Sequence, residues 1–195
     1  MTMEIKQIPM KSFIGEFSDE FVLYDRKFQR KFGAWNDKQK RDLIISLNRG
    51  WLLSNVVVVD IDKCINYAKK QAKSHPTAHS ACTDSMEMFL RSRASGFRGV
   101  AYNYISLDGQ HRTKTLLQFF NNEFTVTGKF IDADGKEVTI VNQYYKDMPP
   151  RVRDQLIDSK IGVGILSEAL YSDLYDVFLR LNAGSPLVAQ EKRQA

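Results

Sequence analysis

The chain has 195 residues, of which 43% are hydrophobic and 26% charged, with a formal net charge of +5 and a sequence pI of about 9.1. That length suits one domain with a real core, and that composition excludes global disorder. No apolar run approaches the ~20 residues of a membrane span, and the amino terminus carries no secretory h-region. Two widely separated cysteines exclude a disulfide framework, so the expected setting is a reducing cytoplasm. The mild basic excess admits nucleic-acid or phosphate partners without requiring either.

In chain order, the pattern predicts a short strand over 4–8, followed by an irregular stretch through Arg30. A helix follows over 36–48, with Asn36 as N-cap and Gln39 at the capping-box position. Its apolar face is Leu43, Ile44 and Leu47, and Gly50 closes it. Val56-Val57-Val58-Val59 is β-branched and apolar throughout, which reads as a buried strand over 55–60. The segment 61–101 reads as largely helical, broken at His75-Pro76-Thr77. A strand over 102–107 feeds a helix over 110–121, and a hairpin over 124–131 and 137–141 turns across Asp132-Ala133-Asp134-Gly135. Pro149-Pro150 opens a helix to about Asp158, a strand covers 161–166, and a last helix over 172–181 turns Leu174, Val177, Phe178 and Leu181 inward. The sum is an α+β (mixed α/β) fold in a single domain, 1–195.

The most informative segment is Leu107-Asp108-Gly109-Gln110-His111-Arg112-Thr113, a strand that enters a glycine turn and opens at once into a helix. Gly109 permits a positive φ or a close backbone approach. The free N–H groups of the helix start, its dipole and the Arg112 guanidinium together make an anion site, and phosphate is the anion most often held this way. The bland alternative is a plain strand-to-helix turn with a surface arginine.

Asp108-Gly109-Gln110-His111-Arg112 resembles the DGQQR/DGQHR signature of ParB/sulfiredoxin-like domains, which include the N-terminal domain of GmrSD-type modification-dependent restriction enzymes and proteins of phosphorothioate-DNA systems. Two more segments are similar in the family's order. Tyr24-Asp25-Arg26-Lys27-Phe28-Gln29-Arg30 with Trp35 resembles its early "YQR…W" segment. Phe178-Leu179-Arg180-Leu181-Asn182-Ala183-Gly184 with Gln190, Glu191 and Arg193 resembles its closing segment. The resemblance implies a small mixed sheet flanked by helices, with 61–101 as a helical insertion. It also leads us to expect a chain truncated at its carboxyl end, since that closing segment normally opens a helix.

The function implied by the resemblance is nucleoside triphosphate binding, with hydrolysis as its extension, in a DNA-transaction, phage or defence protein. Gly109, Gln110, His111, Arg112 and Thr113 would cradle the phosphates, with Arg112 neutralising the terminal charge. Asp108 would position Mg²⁺ or water, Gln29 and Arg30 would reach in from the early loop, and Asn182 would close the site. Asp108 reads equally as a turn-forming aspartate bonded to its own backbone. His111 could trade protons near neutral pH, but many relatives carry Gln there, so no indispensable role follows. Two other classes compete: a DNA-binding adaptor that grips a DNA phosphate with the same turn, and a structural phage protein that keeps only the fold.

Segment 61–101 also gathers Cys64, His75, His79 and Cys82, an acceptable tetrahedral zinc set by residue type. Without a Cys-x-x-Cys knuckle, and with Pro76 interrupting the helix, the favoured reading is packed cysteines and solvated histidines, with no metal. Lys69, Lys70, Lys73, Arg91, Arg93 and Arg98 make the segment basic, which a solvated helix face explains as readily as nucleic-acid contact. Lys27, Arg30 and Lys31, interleaved with Phe28 and Phe32, could stack and neutralise a nucleotide, or the phenylalanines could be core.

Overall fold

A computed structural model of the chain describes residues 1–28, 35–51, 53–96 and 99–182. Its centre is β3 (Val56–Asp60), where the valine run alternates between two cores. Val56 and Val58 enter one apolar cluster, and Val57 and Val59 enter another on the opposite face. A strand buried on both faces needs helices on both sides of the sheet. On the first side lie α1 (Met10–Glu16), α2 (Asp37–Asn48), α5 (Gln110–Phe120) and α6 (Pro150–Asp158), through residues such as Phe13, Ile44, Leu116 and Leu156. On the second lie α3 (Ile61–Ser74), α4 (His79–Ala94) and α7 (Asp173–Leu181), through Cys64, Phe89 and Phe178. The 61–101 segment therefore supplies much of one layer of the core. No described helix is long and apolar enough to cross a membrane.

The sheet has the order β1-β7-β3-β4-β2, with β1 (Met3–Pro9), β2 (Val22–Leu23), β4 (Tyr104–Asp108) and β7 (Lys160–Leu166). It is mixed: β7 runs parallel to β3, and β2 parallel to β4, while β1–β7 and β3–β4 are antiparallel. The fold is α+β, as expected. Strand β4 lies inside the sheet and ends on Asp108, with a register shift against β3 just before that residue. Such an irregularity re-aims the side chain that follows it.

The capping box on α2 is present in full, Asn36 Oδ1 accepting from Gln39 N at 3.0 Å and Gln39 Oε1 from Asn36 N at 3.0 Å. Gly50, at φ +65°, closes that helix, with Trp51 N donating to Ser46 O at 2.9 Å. The break inside 61–101 falls at His75, which caps α3, and the 3-10 turn Pro76–Ala78. The hairpin pairs β5 (Val126–Ile131) with β6 (Glu137–Gln143) as a separate sheet, turning at Gly135 with φ +78°.

Two expectations are corrected. The stretch expected to be irregular holds α1, β2 and a 3-10 turn, Arg26–Phe28. α1 has no side-chain cap, and its first N–H is satisfied from across the fold by Ser159 O at 2.8 Å. Its buried Met10, Phe13 and Phe17 are spaced as one helical face, so tertiary burial carries a helix that propensity does not. Leu181, expected inward, is 39% exposed at the carboxyl end of α7.

Asn48 does a job that no local pattern announces. Fully buried, it donates from Nδ2 to Ile131 O at 2.9 Å and accepts from Ile131 N at 2.7 Å, clasping the hairpin edge to α2. Asn48→Ala should cost about 2 kcal/mol by orphaning both backbone groups. A melting temperature lower by about 4–8 °C would follow for a domain of this size, and an unchanged melt would show that the hairpin does not depend on the clasp.

Candidate functional site

The turn after β4 is built around one glycine. Gly109 has φ 92° and ψ 11° and caps α5. A Cβ there would meet Val56 Cα and Cγ2 at 3.0 Å and Arg112 Nη2 at 3.3 Å, so both conformation and space demand glycine. The first helical bond is Thr113 N to Gly109 O at 2.9 Å. The N–H groups of Gln110, His111 and Arg112 therefore precede the helical ladder and stand at the positive end of α5.

Arg112 is no surface arginine. Its side chain is 17% exposed, and Nη2 donates to Asn55 O at 2.9 Å and to Asp108 Oδ2 at 2.8 Å. The guanidinium thus ties α5 to the segment entering β3 and to the last residue of β4. Asp108, 36% exposed, meets it one helical turn away, so the carboxylate offsets part of the cationic charge. Arg112 Nε and Gln110 Oε1 are buried and have no hydrogen-bond partner. Thr113 is buried against the Tyr24 phenol, whose pKa burial raises.

These groups border a cavity of about 390 Å³, within the size range of small-ligand sites. Its lining includes polar groups of Ser54, Asp108, Gly109, Gln110, Arg112 and Asn182. Aromatic side chains line it as well, from Phe28, Trp35, His111 and Phe178. Asn182 is held at the end of α7 by its Nδ2, which donates to Phe178 O at 2.8 Å.

Of the residues read from the sequence, Asp108, Gly109, Gln110, His111, Arg112 and Asn182 share this cavity, and Thr113 does not line it. Gln29 and Arg30 lie outside the described residues, as do Lys31, Phe32, Arg98 and 183–195. Phe28, just before Gln29, is buried at the cavity and packs edge-on to Phe178 with centroids 6.2 Å apart. Trp35 and Ser54 were not nominated from the sequence. For Trp35 the signal was available: an aromatic ring directly before a strong N-cap has its place fixed by that cap.

Cys64 and Cys82 are buried thiols, and burial pushes Cys64 up to about 11. His75 and His79 are exposed. Among the described residues no group of three or more His, Cys, Asp or Glu is arranged to hold a metal. Protein purified without chelator should contain well under one zinc per chain by elemental analysis. A stoichiometric zinc lost on Cys82→Ser and His79→Ala would overturn this expectation.

A glycine-turned helix start, an arginine and aromatic side chains meet around one cavity on a mixed sheet. Residues 11–195 match the family model described as GmrSD restriction endonuclease, N-terminal domain, and the chain belongs to that family. Comparison with curated proteins and with solved structures gave no match.

Proposed function

We propose that the cavity binds a nucleoside triphosphate, as part of a restriction protein that acts on DNA. The observation that carries this reading is the Gly109–Arg112 turn, which brings three helix-start N–H groups and a braced guanidinium to the lining of one cavity. Phosphate oxygens would accept from the turn, and the fixed donors would meet them with little reorganisation. Asn182 would close the site from α7. Asp108 is the one carboxylate lining the cavity among the described residues, and it would hold Mg²⁺ or a water through the oxygen not engaged by Arg112. Hydrolysis would then need an in-line water, with Arg112 stabilising charge on the terminal phosphoryl group. DNA as the partner is supported by the family description, and the formal net charge of +5 is compatible with it.

Single-turnover nucleotide hydrolysis, with and without DNA and at low and high salt, tests the reading. Nucleotide turnover or saturable nucleotide binding is expected. Salt-steep DNA binding with no nucleotide effect would instead make the turn a grip for a DNA phosphate.

A further inference from the structure

We infer that the cavity holds its ligand by a planar heteroaromatic ring as well as by phosphates, the ring lying against the Trp35–His111 pair. This rests on the nucleotide reading above and names the part of the ligand that the phosphate turn cannot hold. The Trp35 and His111 rings are nearly parallel, 10° apart in plane with centroids 5.9 Å apart, and both line the cavity. Two helix starts fix them. Trp35 directly precedes the capping box of α2, and His111 is the second residue of α5, next to the glycine turn. The two rings are therefore presented before any ligand arrives, which lowers the ordering cost of binding.

The other rings lining the cavity serve the core. Phe28 and Phe178 are buried and belong to the cluster with Ile105, Leu107 and Leu174. Trp35 and His111 are only half-buried, and they stand beside the polar groups of Gly109–Arg112. A partly exposed indole parallel to an imidazole offers a flat, polarisable surface to a π-system, and stacking of this kind tolerates any base. A purely structural clasp between α2 and α5 would stabilise the fold and leave ligand choice untouched.

Calorimetric titration with a nucleoside triphosphate and with inorganic tripolyphosphate, both with Mg²⁺ present, separates these cases. On the native chain the nucleotide should bind more tightly than tripolyphosphate. Trp35→Ala should weaken nucleotide binding by about tenfold or more, leave tripolyphosphate binding unchanged, and Trp35→Phe should restore most of the loss. Equal affinity of the native chain for the two ligands would overturn the ring subsite and leave the phosphate site standing. That comparison needs no variant to fold. An unchanged nucleotide affinity in folded Trp35→Ala would overturn it as well. If neither ligand binds the native chain, the nucleotide reading fails and this inference fails with it.

Discussion

Gly109→Ala is expected to be strongly damaging at the site, costing about 3 kcal/mol in stability. Part of that cost is conformational, since an L-residue at φ 92° carries roughly 1–2 kcal/mol of strain. The rest is crowding, because the new methyl sits 3.0 Å from Val56 Cα, a backbone atom of the central strand that cannot swing aside. Overpacking of that kind costs typically ~1–3 kcal/mol. Gly135→Ala is the control: its φ is +78°, but nothing lies within 4 Å of the added methyl, so only the strain remains. Thermal melts should fall by about 6–12 °C for Gly109→Ala and by less, about 2–8 °C, for Gly135→Ala. Equal losses would mean that Val56 yields freely and that crowding does not fix the turn. Because the same methyl presses on Arg112 Nη2, ligand affinity should fall along with stability.

What the sequence made legible was local or periodic. The capping box of α2 lies within four residues, and the β3 valines declare burial on both faces by composition alone. The strand–glycine–helix turn is likewise contiguous, so its backbone geometry follows from the chain order of Asp108, Gly109 and Gln110. What stayed hidden depends on partners far away in sequence. α1 exists because Met10 and Phe13 find a core, since no cap marks its start. The sequence does not show that Arg112 is tied back: its bond to Asn55 spans 57 residues and depends on the pairing of β3 with β4. The aromatic pair has the same origin: Trp35 and His111 meet because α2 and α5 pack on the same face of the sheet. Leu181 followed the apolar rhythm of α7 and yet borders the cavity, which a helical period cannot distinguish from the core.

Arg112→Lys should lower both nucleotide affinity and stability, and the two losses have separate causes. One guanidinium nitrogen serves the Asn55 carbonyl and the Asp108 carboxylate at 2.9 and 2.8 Å, and the residue lines the cavity. An ammonium is a compact point charge that cannot reproduce the fork. Removal of the whole group in Arg112→Ala should cost about 2–3 kcal/mol, because a mostly buried acceptor and a carboxylate lose their donor together. Lysine should fall between, keeping the charge and one of the two bonds. Asp108→Asn separates bracing from chemistry: the amide oxygen still accepts from Arg112, but the negative charge beside the anion site is gone. Nucleotide binding without Mg²⁺ should then tighten a few-fold, since the carboxylate no longer competes for the cation. Any Mg²⁺-dependent turnover should be lost if Asp108 holds the metal. Titrations with and without Mg²⁺, run beside denaturant melts, read all of these effects. A folded Arg112→Lys variant with native nucleotide affinity would leave Arg112 as a brace alone, with the helix start of α5 as the whole of the anion site.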